Sequence, residues 1–185
     1  MALTPSLMID LGSPAADFKL TDAISGNERT LAELKSPVAT VIMFICNHCP
    51  YVKHINVELV RLANDYIPRG VSFIAINSND YTAYPKDSPE HMRELAAELK
   101  YSFPYLIDES QQVAKAYEAV CTPDFFIYDA DLKLAYRGQL DDSRPSNQIP
   151  SDGRDIRAAL DAILSGNKPS PRQRPSIGCN IKWKK

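Results

Sequence analysis

The chain has 185 residues, enough for one compact domain, and its 44% hydrophobic and 24% charged residues are typical of a globular protein. A formal net charge of −2 gives no reason to expect nucleic-acid binding. No apolar run approaches the roughly 18 residues of a membrane span, and no signal-like segment opens the sequence. We therefore expect a cytoplasmic protein whose partners include neither nucleic acid nor membrane.

Basic residues are concentrated near the C-terminus. Residues 167–185 hold six Lys and Arg side chains and no acid, within the link KPSPRQRP and the ending SIGCNIKWKK. We therefore divide the chain into a domain over residues 1–167 and a basic, proline-rich tail over residues 168–185 that carries Cys179. Because the tail also holds Ile177, Ile181 and Trp183, we expect it to dock on its own domain.

Apolar runs alternate with helical patterns along the domain. Val38–Ile45 and Val71–Ile76 are near-continuous apolar runs, as expected of strands buried on both faces. Between them, apolar residues recur at helical spacing from Pro50 to Tyr66. The other predicted elements are a helix capped by Ser88-Pro89 and running to Leu99, a short helix near Gln111–Ala119, paired strands Phe125–Tyr128 and Leu132–Tyr136, and a last helix from Asp152 to Gly166.

This order of elements predicts an α/β fold with a mixed central sheet and helices on both faces. The right-handed crossover rule places the first two strands side by side, with the helix from Pro50 covering them. The loop at the C-terminal end of the first strand is then the expected place for a site.

That loop carries a candidate nucleophile. It reads CNHCPYV, and Cys49 stands immediately before Pro50 at the start of the helix. The partial positive charge and free N–H groups of a helix N-terminus favour the reactive thiolate, and His48 adds positive potential. Two other interpretations stay open: a cysteine that only packs, and half of a zinc site made by Cys46 and Cys49, for which the chain offers no second ligand pair.

Several motifs together resemble the thioredoxin-like superfamily, in its redoxin branch of peroxiredoxin-like and alkyl hydroperoxide reductase/thiol-specific antioxidant-like proteins. They are the opening PAADFKL at residues 14–20, Phe44 five residues before Cys49, and Thr122-Pro123 before a strand. The ending PSIGCNIKWK also resembles that of an uncharacterised group within the branch. The resemblance covers about residues 10–166 and implies a thioredoxin-like fold with an extra N-terminal segment.

The same resemblance implies roles for particular residues. Cys49 matches the attacking cysteine, and Pro123 would be a cis-proline that faces it. The backbone of Thr122 would then make a strand-like contact with a bound thiol partner. The implied substrate-binding residues are Thr122, Pro123, Pro50 and His48.

The chain departs from its relatives at several of their functional positions. Val52 stands where a thioredoxin has its second cysteine, and Cys46 stands where a peroxiredoxin has its threonine. The peroxide-orienting arginine of peroxiredoxins is absent from the aligned position, although Arg137 or Arg144 could substitute for it in space. The segment HCPYV also resembles the HCPDV of copper chaperones for cytochrome oxidase, which makes Cys46 and Cys49 candidate ligands of Cu(I).

Three cysteines are candidates for resolving oxidised Cys49. Cys46 lies three residues away, and Cys121 lies two residues before Pro123; we rank these two level. Cys179 ranks behind them and could reach Cys49 from the same subunit or from the second subunit of a homodimer. A disulfide needs Cα atoms within about 7 Å, which sequence alone does not test.

Three functions follow from these residues. The first is a thiol–disulfide oxidoreductase in which Cys49 attacks and Cys121 or Cys46 resolves, acting on protein or small-molecule thiols and disulfides with a thioredoxin- or glutathione-type electron donor. The second is a peroxiredoxin-like thiol peroxidase that reduces hydroperoxides through a sulfenic acid. The third is a redox sensor or Cu/Zn-binding module without turnover. For the first two we expect no cofactor and no metal.

Overall fold

The chain folds into ten strands and five helices within residues 3–185, the part that this computed structural model describes. The strands are β1 (Leu3–Pro5), β2 (Lys19–Asp22), β3 (Glu28–Thr30), β4 (Ala39–Phe44), β5 (Val71–Asn77), β6 (Tyr105–Ile107), β7 (Cys121–Thr122), β8 (Asp124–Asp129), β9 (Leu134–Gly138) and β10 (Ile177–Asn180). The helices are α1 (Leu31–Leu34), α2 (Pro50–Tyr66), α3 (Pro89–Leu99), α4 (Gln112–Ala116) and α5 (Arg154–Leu164).

A seven-stranded mixed sheet forms the centre of the fold, with the strand order β3-β2-β6-β5-β4-β8-β9. β4 and β6 both run parallel to β5, whereas β8 pairs with β4 and β9 with β8 in the antiparallel sense. This confirms the predicted mixed sheet and the predicted adjacency of the two apolar strands.

Helices cover both faces of this sheet, which explains the continuous apolar run of β4. Val41 and Met43 pack on one face with residues of α2, α3 and α5. Ile42 and Phe44 pack on the other face with residues of α1 and α4. Burying a side chain of this size contributes roughly 1.5–3 kcal/mol, so β4 and the start of α2 that follows it are held on a rigid base.

The elements predicted from residue 38 to residue 166 are all present, with ends shifted by a few residues. The N-terminal strands β1, β2 and β3 and the short helix α1 had no sequence prediction, because each spans only three or four residues. Among the described helices, none combines the length and the apolar character that crossing a membrane requires.

The tail forms part of a second, three-stranded sheet in the order β1-β10-β7. β10 pairs antiparallel with both neighbours, which places Cys179 opposite Thr122 on one side and opposite Leu3 on the other. Beyond β10, the Ile181 N–H donates to the Val120 carbonyl at 3.0 Å. The tail thus docks on its own domain, as its apolar residues predicted.

Candidate active site

Cys49 lies at the junction between β4 and α2. It is the N-cap residue of α2, with extended backbone angles, and Pro50 occupies the first helical position. Proline fits there because the N–H that it lacks would have no partner within the helix. The Cys49 side chain is fully buried, and the Val52 N–H of the first turn points at its sulfur.

Groups of three other residues converge on the Cys49 sulfur, and two of these residues, Thr122 and Cys179, are distant from it in the sequence. The Cys179 Sγ lies 2.9 Å from the Cys49 Sγ, and the Thr122 carbonyl oxygen lies 3.2 Å from it. The Cys46 thiol hydrogen bonds to the Cys49 sulfur, and its own Sγ lies 3.3 Å from the Thr122 hydroxyl. The pairing of β10 with β7 produces this arrangement, since it sets Cys179 opposite Thr122.

These contacts give the three cysteines different pKa values. The hydrogen bond from Cys46, with further ones from Cys179 and the Val52 N–H, lowers the pKa of Cys49 to about 5 against the opposing effect of burial. Burial and the contact with Cys49 raise the pKa of Cys179 to about 12. The bond to Cys49, together with burial, raises the pKa of Cys46 well above its ordinary value. At neutral pH the site therefore holds one thiolate between two thiols.

The structure separates the three candidates for resolving Cys49. Cys179 and Cys46 hydrogen bond to the Cys49 sulfur, whereas the Cys121 sulfur contacts the Pro123 carbonyl at 3.7 Å. Burial raises the pKa of Cys121 far above its ordinary value. The geometry thus brings Cys46 and Cys179 to the Cys49 sulfur and leaves Cys121 beside Pro123. A strand pairing that the sequence did not reveal carries Cys179 to the site.

The predicted substrate-binding residues differ in their accessibility. The Thr122–Pro123 peptide bond is cis, and both residues are buried. The Ser176 hydroxyl donates to the Pro123 carbonyl at 2.6 Å, so the tail covers this position. Pro50 is exposed and His48 is half-buried, which leaves the α2 side of the loop open.

His48 is held by a buried carboxylate that the sequence analysis did not single out. Its Nδ1 lies 2.6 Å from Asp87 Oδ2, and its ring stacks on Tyr84 with the centroids 5.3 Å apart. Asp87 also accepts from the Asn47 N–H and from Asn79 Nδ2, each at 2.8 Å. Although burial opposes it, the bonds from His48 and Asn79 hold the pKa of Asp87 below its ordinary value.

One cluster in the described chain has the donor types of a metal site. Ligand atoms of Cys46, His48 and Asp87 all lie within 4.8 Å of one another. A thiol, an imidazole and a carboxylate are donors that Zn²⁺ accepts. Both oxygens of Asp87 already accept hydrogen bonds, so the carboxylate also serves to orient His48, whose Nε2 is buried without a hydrogen-bond partner.

Neither candidate arginine takes the place of the peroxiredoxin arginine. Arg137 pairs with Asp124 at 3.2 Å, and both side chains are fully buried. Arg144 donates to the backbone carbonyls of Asp141 and Ser143 at 2.7 and 2.6 Å. Both guanidinium groups thus have protein partners of their own, and none of their hydrogen bonds in the described chain goes to Cys49.

Comparison with known proteins identifies a matching family and several similar structures. Residues 11–137 match the model of the AhpC/TSA family. An uncharacterized conserved protein from Geobacillus kaustophilus has a solved structure with 64% sequence identity and a TM-score of 0.98, covering 100% of this chain and 97% of that one. A hypothetical protein from Sinorhizobium meliloti 1021 follows with 50% identity, a TM-score of 0.95 and 98% coverage of both chains.

A more distant structure shares the fold. Peroxidoxin BcpB from Mycobacterium tuberculosis has 20% identity and a TM-score of 0.63, over 86% of this chain and 98% of that one. No curated protein matches the chain. The family match spans more than half of the chain and includes Cys49 at the start of α2. The chain therefore belongs to the AhpC/TSA family, with a thioredoxin-like fold and the site of a thiol-dependent oxidoreductase.

Proposed function

We propose that the protein is a thiol–disulfide oxidoreductase in which Cys49 is the nucleophile and Cys179 is the resolving cysteine. The observation that supports this assignment is the 2.9 Å separation of the two sulfurs. The difference in ionisation supports the same roles, since the thiolate attacks and the thiol follows.

The reaction proceeds in two exchanges. The Cys49 thiolate attacks one sulfur of a substrate disulfide, the bond between the two substrate sulfurs breaks, and one substrate thiolate leaves. Cys179 then loses its proton to that thiolate and attacks the Cys49 sulfur, which forms the Cys49–Cys179 disulfide and releases the second substrate sulfur as a thiolate. The substrate gains two electrons from the cysteine pair, one proton from Cys179 and one proton from solvent.

An external thiol closes the cycle. One thioredoxin-type dithiol, or two glutathione-type monothiols, reduces the Cys49–Cys179 disulfide and leaves as a disulfide. We place this cycle in the reducing cytosol, where such donors are abundant.

Hydroperoxide reduction is the second candidate, and the burial of Cys49 favours it. A fully buried sulfur is more easily reached by a small hydroperoxide than by a protein disulfide. The Cys49 thiolate would take one peroxide oxygen to become a sulfenic acid and release an alcohol or water, and Cys179 would then displace water to form the same disulfide. Arg137 and Arg144 have other partners, so this candidate lacks the arginine that orients the peroxide in peroxiredoxins.

Variants in which one cysteine is replaced test the roles assigned to Cys49 and Cys179. Cys49→Ser should abolish disulfide exchange with a thiol donor. Cys179→Ser should still attack but should accumulate a mixed disulfide between Cys49 and the substrate, visible as an added mass under non-reducing conditions. Turnover retained in Cys49→Ser would overturn the proposal.

A third variant distinguishes Cys179 from Cys121 as the resolving cysteine. Cys121→Ala should keep multiple-turnover exchange if Cys179 resolves Cys49. If Cys121→Ala accumulates the mixed disulfide and Cys179→Ser turns over normally, Cys121 is the resolving residue and our assignment is wrong. Hydrogen peroxide consumption by the same variants, measured with and without a thiol donor, separates peroxidase activity from disulfide exchange.

A further inference from the structure

The tail strand β10 lies against the backbone beside the nucleophile. It pairs antiparallel with β7, with Cys179 opposite Thr122 and Asn180 opposite Cys121. An extended chain that pairs in this way presents its cysteine to Cys49, and Cys179 is so presented at 2.9 Å. The position that a disulfide-bearing peptide would need is thus occupied by the protein's own cysteine.

The fit of β10 depends on a glycine directly before the cysteine. A Cβ atom at Gly178 would overlap the carbonyl oxygen of Thr122 and would lie 3.1 Å from Cδ of Pro123. These are backbone and ring atoms, which cannot turn away as the end of a flexible side chain can. Any segment that pairs with β7 in this register therefore needs glycine, or a local distortion, before its cysteine.

β10 also closes the site to large molecules. With the tail in place, Cys49 is fully buried, and Thr122 and Cys179 are 2% and 4% exposed. A partner protein can therefore bring a disulfide to Cys49 only after β10 has moved. The Ser176 hydroxyl bond to the Pro123 carbonyl, at 2.6 Å, is one of the contacts that must break.

We propose that β10 is an internal substrate mimic, and that the partner is a protein with an extended Gly-Cys segment that displaces β10 and pairs with β7. This inference rests on the proposed function, because it takes Cys49 as the nucleophile. Addition of a peptide strand at an exposed sheet edge is a common mode of recognition: backbone hydrogen bonds supply affinity, and side-chain fit supplies specificity. Here the fit at Gly178 would supply the specificity.

Only molecules in which β10 is detached can bind a partner. The apparent affinity for the partner is therefore the intrinsic affinity multiplied by the fraction of molecules with β10 detached. A minor conformation of this kind is commonly populated at about 0.1–10%. Weakening the docking of β10 should therefore increase the reactivity of Cys49 toward a Gly-Cys peptide by roughly tenfold or more. Reactivity toward a small disulfide should rise less, because a small molecule can reach Cys49 without occupying the whole position that β10 holds beside β7.

The test uses the full-length chain carrying Cys179→Ser, which leaves β10 in place and prevents resolution. The probe is the peptide SIGCNIK with its cysteine joined to a chromogenic aromatic thiol, and release of that thiol in a single turnover reports attack by Cys49. The symmetric disulfide of the same aromatic thiol serves as the small probe. A second peptide with valine in place of glycine tests the fit.

Two variants in this background weaken the docking of β10. Gly178→Val creates the overlap with Thr122, and Ser176→Ala removes one hydrogen bond with little effect on folding. Gly178→Val should increase the peptide rate relative to the small-probe rate by roughly tenfold or more. Ser176→Ala should increase it by about two- to tenfold, as expected for one hydrogen bond. The matched control is Ser170→Ala, at an exposed position of the link, which should leave the ratio unchanged.

The outcomes separate this inference from the proposed function. If neither probe reacts in any variant, Cys49 is not the nucleophile and both fail. If the small probe reacts but neither Ser176→Ala nor Gly178→Val raises the relative peptide rate, β10 is not a substrate mimic and the function stands. Equal rates for the glycine and valine peptides in the Gly178→Val protein would likewise overturn the inference.

Discussion

Hydrogen bonds with the Cys46 thiol, the Cys179 thiol and the Val52 N–H lower the pKa of Cys49. Each bond is stronger when the acceptor is charged, so together they stabilise the thiolate inside the protein despite its burial. The two thiol donors are correspondingly harder to ionise. The residues thus have distinct roles at neutral pH: one thiolate that attacks, and thiols that hold it until one of them reacts.

The low pKa of Cys49 predicts the pH dependence of its reactivity. Because the thiolate is the reactive form, the rate of reaction with a small disulfide should reach half of its maximum near pH 5 and stay level through neutral pH. An ordinary thiol would reach its half-maximum near pH 8.5. The measurement is the initial rate at which the wild-type protein releases thiol from the small disulfide across this pH range, because Cys179 itself contributes to the low pKa.

Cys46→Ala serves as the internal comparison, because Cys46 makes the largest contribution to the low pKa. A hydrogen bond to a charged group contributes about 1.5–3 kcal/mol, and 1.36 kcal/mol corresponds to one pKa unit. The midpoint should therefore rise by roughly 1–2 pH units. A profile that stays centred near pH 5 after this substitution would show that groups other than Cys46 stabilise the Cys49 thiolate.

Among the elements, the antiparallel pair β8–β9 carries a buried ion pair next to the site. Asp124 at the start of β8 bonds to Arg137 of β9 at 3.2 Å, and both side chains are fully buried. The Arg137 guanidinium also donates to the Glu118 carbonyl at 3.0 Å and lies over the Phe126 ring, 4.5 Å from its centroid. The pair thereby ties the strand after Pro123 to its neighbour and to the segment that follows α4.

Breaking this ion pair should destabilise the fold strongly. Arg137→Met leaves the Asp124 carboxylate buried without its partner, which typically costs about 3–5 kcal/mol of unfolding free energy. The double variant Asp124→Leu with Arg137→Met should lose less than Arg137→Met alone, because no buried charge remains unpaired. Urea unfolding of the wild type, both single variants and the double variant measures the four free energies. A double variant less stable than either single variant would contradict this account.

Across the whole molecule, the predictable elements are those with a local signal. β4, α2 and β5 follow from continuous apolar runs and helical spacing, and Cys49 as a helix N-cap follows from its neighbour Pro50. The small sheet is different, since β1, β7 and β10 span only three, two and four residues. Strands this short carry no periodicity, so their pairing can be seen only in the folded chain.

The same distinction applies to the site. Cys46, His48 and Cys49 are neighbours in sequence and were predicted together. Asp87, which contacts His48, lies 39 residues further along the chain. Cys179 contacts Cys49 although the two residues are 130 positions apart in the sequence. Its place beside the nucleophile depends on β10 fitting between β1 and β7, which explains why the sequence ranking placed Cys179 last among the resolving candidates.

The pairing of Cys49 with Cys179 is the central claim, and oxidation of the full-length chain tests it most directly. The reduced protein is treated with one equivalent of hydrogen peroxide or of a small disulfide, quenched with an alkylating agent at timed intervals, and mapped by mass spectrometry. The account predicts that Cys49 and Cys179 lose alkylation together and appear as one disulfide within a single chain, while Cys121 stays alkylated once the protein is unfolded. A Cys49–Cys121 or Cys49–Cys46 disulfide, or a Cys49 that remains reduced, would contradict it.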